Sequence, residues 1–271
     1  MKTKIIDING KEKASVDLPK CFSAEIREDI VAKVLEAKKS QQPYAPSPVA
    51  GKQHSASGRL IHRRHVWNSQ YGRGMSRVPR KTMTRKGSQF NWVAAEIPSV
   101  RGGRRAHPPK ILSMMNSKKI NKKEMLIALL SAITATASKK NVVKRYGTLE
   151  DKNVGAVPFV VESKIISLKT KEFIASLKKI LGTDLFGLAL KKKSVRAGCG
   201  KRRGRKYKSN AGMLFVVGNE EKLKRAGIDT VHVKNLGVTE LANGGVGRLT
   251  VYTENAIKDL GGRLKWLQWN Q

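Results

Sequence analysis

The chain has 271 residues, of which 55 are Lys or Arg and 20 are Asp or Glu, giving a formal charge of +35 and a pI near 10.5. Such an excess destabilises a free compact protein by self-repulsion unless a polyanion neutralises it, so an ordinary small-molecule enzyme is not the default reading and nucleic acid is the expected partner, ahead of an anionic membrane surface. Cys21 and Cys199 are the only two cysteines, too few for a disulfide framework or a four-thiolate zinc site, and no apolar run or N-terminal h-region marks a span or a signal peptide, so an intracellular location is expected.

In chain order, Lys4–Ile8 alternates weakly and predicts a short strand, ended by the turn signal Asn9-Gly10. Ser23 with Ile26, Ile30, Val31, Val34 and Leu35 has helical spacing and predicts a helix over about 23–40. Then the periodicity stops. Residues 41–112 hold seven of the nine prolines, seven glycines, 14 basic residues and a single acid, Glu96. A structureless stretch of this length is improbable inside a compact domain. It is either disordered or ordered by a partner. Folded back on itself, it could reach at most on the order of 100 Å.

Regular patterns resume at Asn121, where Met125, Leu126, Leu129, Leu130 and Ile133 predict a helix over 121–137. Strands are expected at Pro158–Glu162, Met213–Val217, Thr230–Lys234 and Leu249–Tyr252, and the unbroken apolar run at 213–217 suits burial on both faces. Helices are expected at Lys171–Leu181, Leu185–Leu190, Glu220–Ala226, Thr239–Ala242 and Thr253–Leu260. This alternation predicts an α/β fold: a single globular domain with a mostly parallel central sheet flanked by helices, interrupted by a long extended basic loop. Residues 1–41 and 113–271 would form that domain and 42–112 the loop, while 191–208 forms a second basic segment inside the globular part.

The charge is concentrated. Residues 191–208 carry ten cations and no acid, and together with 41–112 they hold +23 of the +35. The cations also differ in kind. Segment 41–112 has ten Arg and four Lys, whereas the rest of the chain has nine Arg and 32 Lys. Arginine grips phosphate through a planar fork and stacks on bases; lysine is a hydrated point charge. Tyr44, Trp67, Tyr71, Phe90 and Trp92 interleave with the arginines, which argues against a disordered tail and offers rings for unpaired bases. Candidate RNA-binding residues of the outgoing arm are Lys52, His54, Arg59, Arg63, Arg64 and Trp67. Those of the returning arm are Arg80, Lys81, Arg85, Trp92, Arg101, Arg104, Arg105, His107 and Lys110. In the second segment they are Arg196, Lys201, Arg202, Arg203, Arg205 and Lys206. RNA is favoured over DNA because no helix-turn-helix, zinc finger or basic zipper is present, and an irregular loop suits the grooves and junctions of folded RNA.

Catalytic patterns fail on their own terms. Gly198-Cys-Gly-Lys-Arg lacks both the first glycine of a phosphate loop, since 195 is Val, and the Ser or Thr after its lysine, since 202 is Arg. Gly244-Gly-Val-Gly247 reads as a turn before a strand. His62-x-x-His65 offers two ligands where zinc needs three or four. With no carboxylate pair and no Ser/His/Asp set, neither enzymatic activity nor any metal or cofactor is expected. An RNA-acting enzyme or assembly factor, and a DNA-compacting protein, are the competing readings.

Gln42-Pro-Tyr-Ala45, Ala50-Gly-Lys-Gln-His-Ser-Ala56 and Gly72-Arg-Gly-Met-Ser-Arg-Val-Pro-Arg80, in this order, resemble the extended loop of the large-subunit ribosomal protein L-four family in its archaeal and eukaryotic form. Trp92-Val93 with Arg101-Gly-Gly-Arg-Arg-Ala-His-Pro-Pro109 resembles that loop's return arm, and Arg196–Arg205 also fits. The likeness runs nearly the whole length, with less correspondence over Ser57–Tyr71. It implies a structural constituent of the large ribosomal subunit, in the cytoplasm, that binds large-subunit rRNA early in assembly. Its partners would be that rRNA, neighbouring large-subunit proteins and the nascent polypeptide, with no membrane. The loop tip, Gly72–Arg80, would form part of the peptide exit tunnel wall, with Arg73, Met75 and Arg77 nearest the lumen.

Overall fold

Successive residues of a strand face opposite ways, so an apolar strand with no alternation needs a core on each side. The strands of this chain meet that condition. We describe a computed structural model of the protein, which covers residues 1–40, 64–66, 69, 71–81, 84–95, 97–101, 103, 106–107, 118–149, 154–223, 225 and 227–265. Its contacts group into two units, Met1–Lys39 with Lys119–Gln271, and Ser40–Lys118.

The first unit carries β1 (Lys2–Ile6), β2 (Glu12–Asp17) and α1 (Glu28–Ser40). The second unit contains β3 (Thr84–Lys86) and β4 (Gln89–Asn91). The chain then returns to the first unit with α2 (Lys122–Ala137), α3 (Lys139–Arg145), β5 (Phe159–Val161), α4 (Thr170–Ala189), β6 (Lys193–Val195) and β7 (Tyr207–Ser209). It ends with β8 (Leu214–Val217), β9 (Asp229–His232), α5 (Val238–Ala242), β10 (Thr250–Thr253) and α6 (Glu254–Lys265). Six strands form one sheet in the order β2-β1-β5-β10-β8-β9. Only the β1–β2 pair is antiparallel. The mostly parallel α/β sheet expected from the alternating pattern is therefore present.

The period-2 rule divides the core cleanly. Val160, Leu214, Val216 and Tyr252 face a cluster with Phe22, Val31, Val34, Ala132, Leu241 and Ile257. Phe159, Val161, Phe215, Val217 and Val251 face the other, with Val142, Phe173, Leu177 and Leu185. Helices thus cover both faces. The Tyr252 ring lies edge-on to Phe22, with centroids 5.5 Å apart, and its hydroxyl meets Thr136 Oγ1 at 2.9 Å. Burial pushes that hydroxyl up to about 12, so it stays protonated and the pair remains neutral. Burial likewise pushes the Cys21 thiol up to about 11, leaving it an unreactive core residue.

Several elements differ from the sequence pattern. The first helix begins at Glu28 rather than Ser23, because Lys20–Phe22 forms a 3-10 turn that buries Cys21 and Phe22. Glu28 and Asp29 then occupy the first helical turn and Lys38 and Lys39 the last, matching the helix dipole at both ends. The helices expected at 171–181 and 185–190 are parts of α4, which breaks at Gly182 with φ 77°. The helix expected at 220–226 is absent among the described residues there. Glu221 instead turns its carboxylate inward to accept from Gly218 N–H (2.7 Å), Thr253 Oγ1 (2.6 Å) and Asn255 Nδ2 (2.8 Å). Strand β2, helix α3 and both hairpins, β3–β4 and β6–β7, had no anticipated counterpart. Strand β2 is exposed but for the half-buried Val16, and β6 and β7 are exposed throughout, so no alternation signals them; α3 has seven residues with Val142 alone fully buried, too short for a helical period to show.

Since each unit is described by its own contacts, removing residues 60–95 should leave the first unit folded. A deletion variant is expected to keep a cooperative thermal transition by circular dichroism; its loss would overturn this separation.

Candidate nucleic-acid interface

From Lys191 to Asn210 every residue is exposed except Gly200, which is half-buried. This stretch has no apolar core to organise it, and ten like charges oppose its compaction. Backbone bonds hold it. Strands β6 and β7 pair antiparallel, Lys193 opposite Ser209 and Val195 opposite Tyr207. The ladder extends through Arg196 N–H to Lys206 O (2.8 Å), and Arg205 N–H donates to Gly200 O (3.1 Å). Between the arms, Cys199–Arg203 forms a 3-10 turn closed by Gly204 in the left-handed region (φ 76°). Lys193 Nζ lies 4.1 Å and Lys206 Nζ 5.5 Å from the Tyr207 ring centroid, cation–π contacts that anchor two stems.

The structure therefore places Arg196, Lys201, Arg202, Arg203, Arg205 and Lys206, all expected from the sequence, on one ordered hairpin. Arg196 Nε donates to Arg205 O (3.1 Å). Among these six no acid pairs with a cation. Lys193, Tyr207 and Lys208 belong to the same surface and were not singled out from the sequence. The signal available was the short alternation Tyr207-Lys-Ser209 ahead of Asn210.

In the second unit, Lys81 N–H donates to Val93 O (2.9 Å), Ala95 N–H donates to Pro79 O (2.7 Å), and Arg80 bridges Ala94. The hairpin β3–β4 follows, turning at Gly87 with φ 67°. Arg80 is half-buried and forks across the turn: Nη1 donates to Trp92 O (2.9 Å), and Nη2 donates to Ser76 O (3.2 Å) and Ser76 Oγ (3.0 Å). The Arg73 guanidinium lies 4.8 Å from the Trp92 ring centroid. Those of Arg64 and Arg77 lie 5.2 Å and 4.7 Å from that of Tyr71. Rings read from the sequence as platforms for bases thus take guanidiniums of their own loop.

Arg64, Arg73, Arg77, Arg101 and His107 are exposed, while Met75, Lys81 and Trp92 are half-buried. Arg85 lies on β3 opposite Phe90. Lys52, His54, Arg59, Arg63, Trp67, Arg104, Arg105 and Lys110 lie outside the described residues, as does His62 of the His62-x-x-His65 pair.

Open α/β sheets bind ligands at the carboxyl ends of their strands. Here that crevice is a polar cavity of about 570 Å³ lined by Gly218, Asn219, Glu220, Glu221, Lys234, Asn255, Lys258 and Asp259. Two of its three acids are engaged structurally. Asp259 accepts from Asn219 N–H (2.7 Å), and Glu221 braces the β8 and β10 ends as described above. Burial opposes charge on Glu221, but hydrogen bonds from Thr253, Gly218 N–H and Asn255 hold the carboxyl below its ordinary 4.5. Ionised and hydrogen-bonded, it is neither a general acid nor an available base at neutral pH. Among the described residues no group of three or more His, Cys, Asp or Glu could hold a metal, and no single helix is long and apolar enough to cross a membrane.

Comparison with known proteins agrees with this geometry. The model of the ribosomal protein L4/L1 family matches residues 16–263. The chain is 37% identical to the large ribosomal subunit protein uL4 of Archaeoglobus fulgidus over 276 residues, covering 98% of this chain and 100% of that protein. It is 39% identical to uL4 of Nanoarchaeum equitans over 269 residues, covering 96% and 97%, and 41% identical to uL4 of Methanococcoides burtonii over 267 residues, covering 95% and 97%. A family match over most of the chain and relatives aligned across their full length leave one assignment: the chain belongs to the ribosomal protein L4/L1 family, a family of structural ribosomal proteins and not of enzymes.

Proposed function

We propose that this protein is a structural component of the large ribosomal subunit, in the cytoplasm, and binds large-subunit rRNA through both basic segments. The observation that carries the RNA-binding part is the β6–β7 hairpin: ten cations and no acid over 18 residues, exposed, yet folded. A surface of that charge gains by releasing counterions from a phosphate backbone. The names of its relatives support the ribosomal setting.

The arginine-rich segment 42–112 threads between RNA elements early in assembly, and neighbouring large-subunit proteins contact the body. The tip at Gly72–Arg80 contributes to the wall of the peptide exit tunnel, where Arg73, Met75 and Arg77 meet the nascent polypeptide. Exposure of Arg73 and Arg77 supports this reading. Their ring contacts with Trp92 and Tyr71 fix the stems while leaving N–H donors for phosphate or peptide carbonyls.

Fractionation of a tagged chain on sucrose gradients tests the assignment. The protein is expected with large subunits after a moderate-salt wash. Recovery only in a free, salt-labile pool would overturn it.

A further inference from the structure

The β6–β7 hairpin departs from the end of α4 at Ala189 and leads back into β8 after Met213, and a set of polar contacts closes that gap. Met213 N–H donates to Ala189 O (2.8 Å). Asn210 holds both arms: its amide nitrogen donates to Leu190 O (2.9 Å) and Leu188 O (3.3 Å), and its Oδ1 accepts from Lys192 N–H (2.7 Å). Beside them sits Arg248, only 6% exposed. Its Nε donates to Gly212 O (3.2 Å) and its Nη1 to Glu240 O (2.7 Å). Its Nη2 donates to Ala211 O (2.7 Å) and to Asp229 Oδ2 (2.6 Å). The second carboxylate oxygen of Asp229 accepts from Lys191 Nζ at 2.6 Å.

A buried guanidinium is costly unless its donors are satisfied. Here the acceptors come from the returning arm (Ala211, Gly212), from α5 (Glu240) and from β9 (Asp229). Asp229 joins that cation to Lys191 at the start of the outgoing arm. The planar fork fixes direction as well as distance, which a lysine at 248 could not do. The arms come very close at Gly212, where a Cβ would lie 2.9 Å from Lys191 Cγ and 3.1 Å from Ala189 O. Burial resists charge on Asp229, but hydrogen bonds from Lys191 and Arg248 hold its carboxyl below the ordinary 3.8, so the bridge is ionised at neutral pH.

We propose that Arg248, Asp229 and Asn210 are positioning residues of the RNA interface: they fix how the hairpin projects from the end of α4 and the start of β8, so that its cations meet RNA already in place. This rests on the hairpin's role in RNA binding. None of the three needs to touch RNA. The hairpin buries no apolar surface of its own, so without the clamp it would sample other orientations. Affinity would then fall by the fraction of molecules still correctly placed.

The sign of the effect separates positioning from simple charge. Asp229→Asn removes a negative charge, so general electrostatics predicts tighter RNA binding, whereas loss of position predicts weaker binding. The test is binding of the full chain to a transcript of large-subunit rRNA across a salt series, for Asp229→Asn and for Asn210→Ala, an exposed site whose loss leaves the core intact. Folding of each variant is checked by circular dichroism. Both should bind about tenfold more weakly at fixed salt, a competent fraction near one in ten, with the slope of log K against log salt unchanged because the cations are all present. Unchanged or tighter binding, or a slope that falls with affinity, overturns the proposal. Glutamine at Lys201, Arg202, Arg203 and Arg205 is the control. If that variant binds like the parent, the hairpin is not an RNA-binding element and the clamp has nothing to position; if it weakens and the two clamp variants do not, only the positioning claim fails.

Discussion

Replacing Lys201, Arg202, Arg203 and Arg205 together with glutamine should lower the slope of log K against log salt by about 3, and weaken binding to large-subunit rRNA on the order of 10²-fold near 0.15 M salt. The size follows from counting. Each phosphate contact releases a fraction of about 0.7–0.9 of a counterion, and these four cations stand exposed with no acid of the hairpin to share them. The substitution should cost almost no stability, because it touches no core residue and relieves like-charge repulsion. A salt series by filter binding, with a thermal melt of the same protein, checks both halves. An unchanged slope would mean these side chains do not meet phosphate.

The largest effect on stability is expected at a glycine. Gly247 has φ 81°, and a Cβ there would lie 2.4 Å from Asn141 O, 2.5 Å from Asn141 C and 3.0 Å from Val142 N. All three are backbone atoms at the start of α3, with Val142 fully buried, so nothing can swing aside. Gly247→Ala combines left-handed strain of about 1–3 kcal/mol with overpacking of about 1–3 kcal/mol. That should lower the melting temperature by about 5–15 °C for a body of this size. Gly204 is the control. It has φ 76° but nothing within 4 Å of its Cβ position, so Gly204→Ala should cost only the strain, and locally. Similar melting temperatures for the two variants would rule out the close approach at Asn141.

These two glycines mark how far the sequence could be read. The apolar strands were legible because burial on both faces leaves a plain signal. Met213–Val217 lacks any polar residue, and Leu214–Val217 is indeed fully buried between two clusters. The charge of 191–208 was equally plain, and the structure gathers it on one exposed hairpin. Its shape was not legible, because a hairpin held by backbone bonds, Gly204 and a remote arginine has no periodicity. Arg248 in particular reads as one more cation among 55; only the fold reveals that its acceptors lie on the hairpin's return arm, α5 and β9. The expected helix at 220–226 is absent among the described residues. In its place the Glu221 carboxylate braces the ends of β8 and β10. In the basic loop, the mixture of arginine and aromatic residues was visible. Which guanidinium would lie on which ring depended on the pairing of residues 79–81 with 93–95.

The order of the strands has a consequence for synthesis. The last strand, β10, occupies the middle of the sheet, between β5 and β8. Until it is added, β2-β1-β5 and β8-β9 are two fragments with no strand pairing between them. A ribosome making this chain releases both basic segments before it releases Thr250–Thr253, the strand that joins the fragments. Closure of the body therefore waits until β10 has emerged, after both cationic segments. A chain arrested before Thr250 would keep nearly all of its charge and lack the scaffold that directs it. Joining of the sheet and the directed presentation of its cationic hairpin thus arrive together.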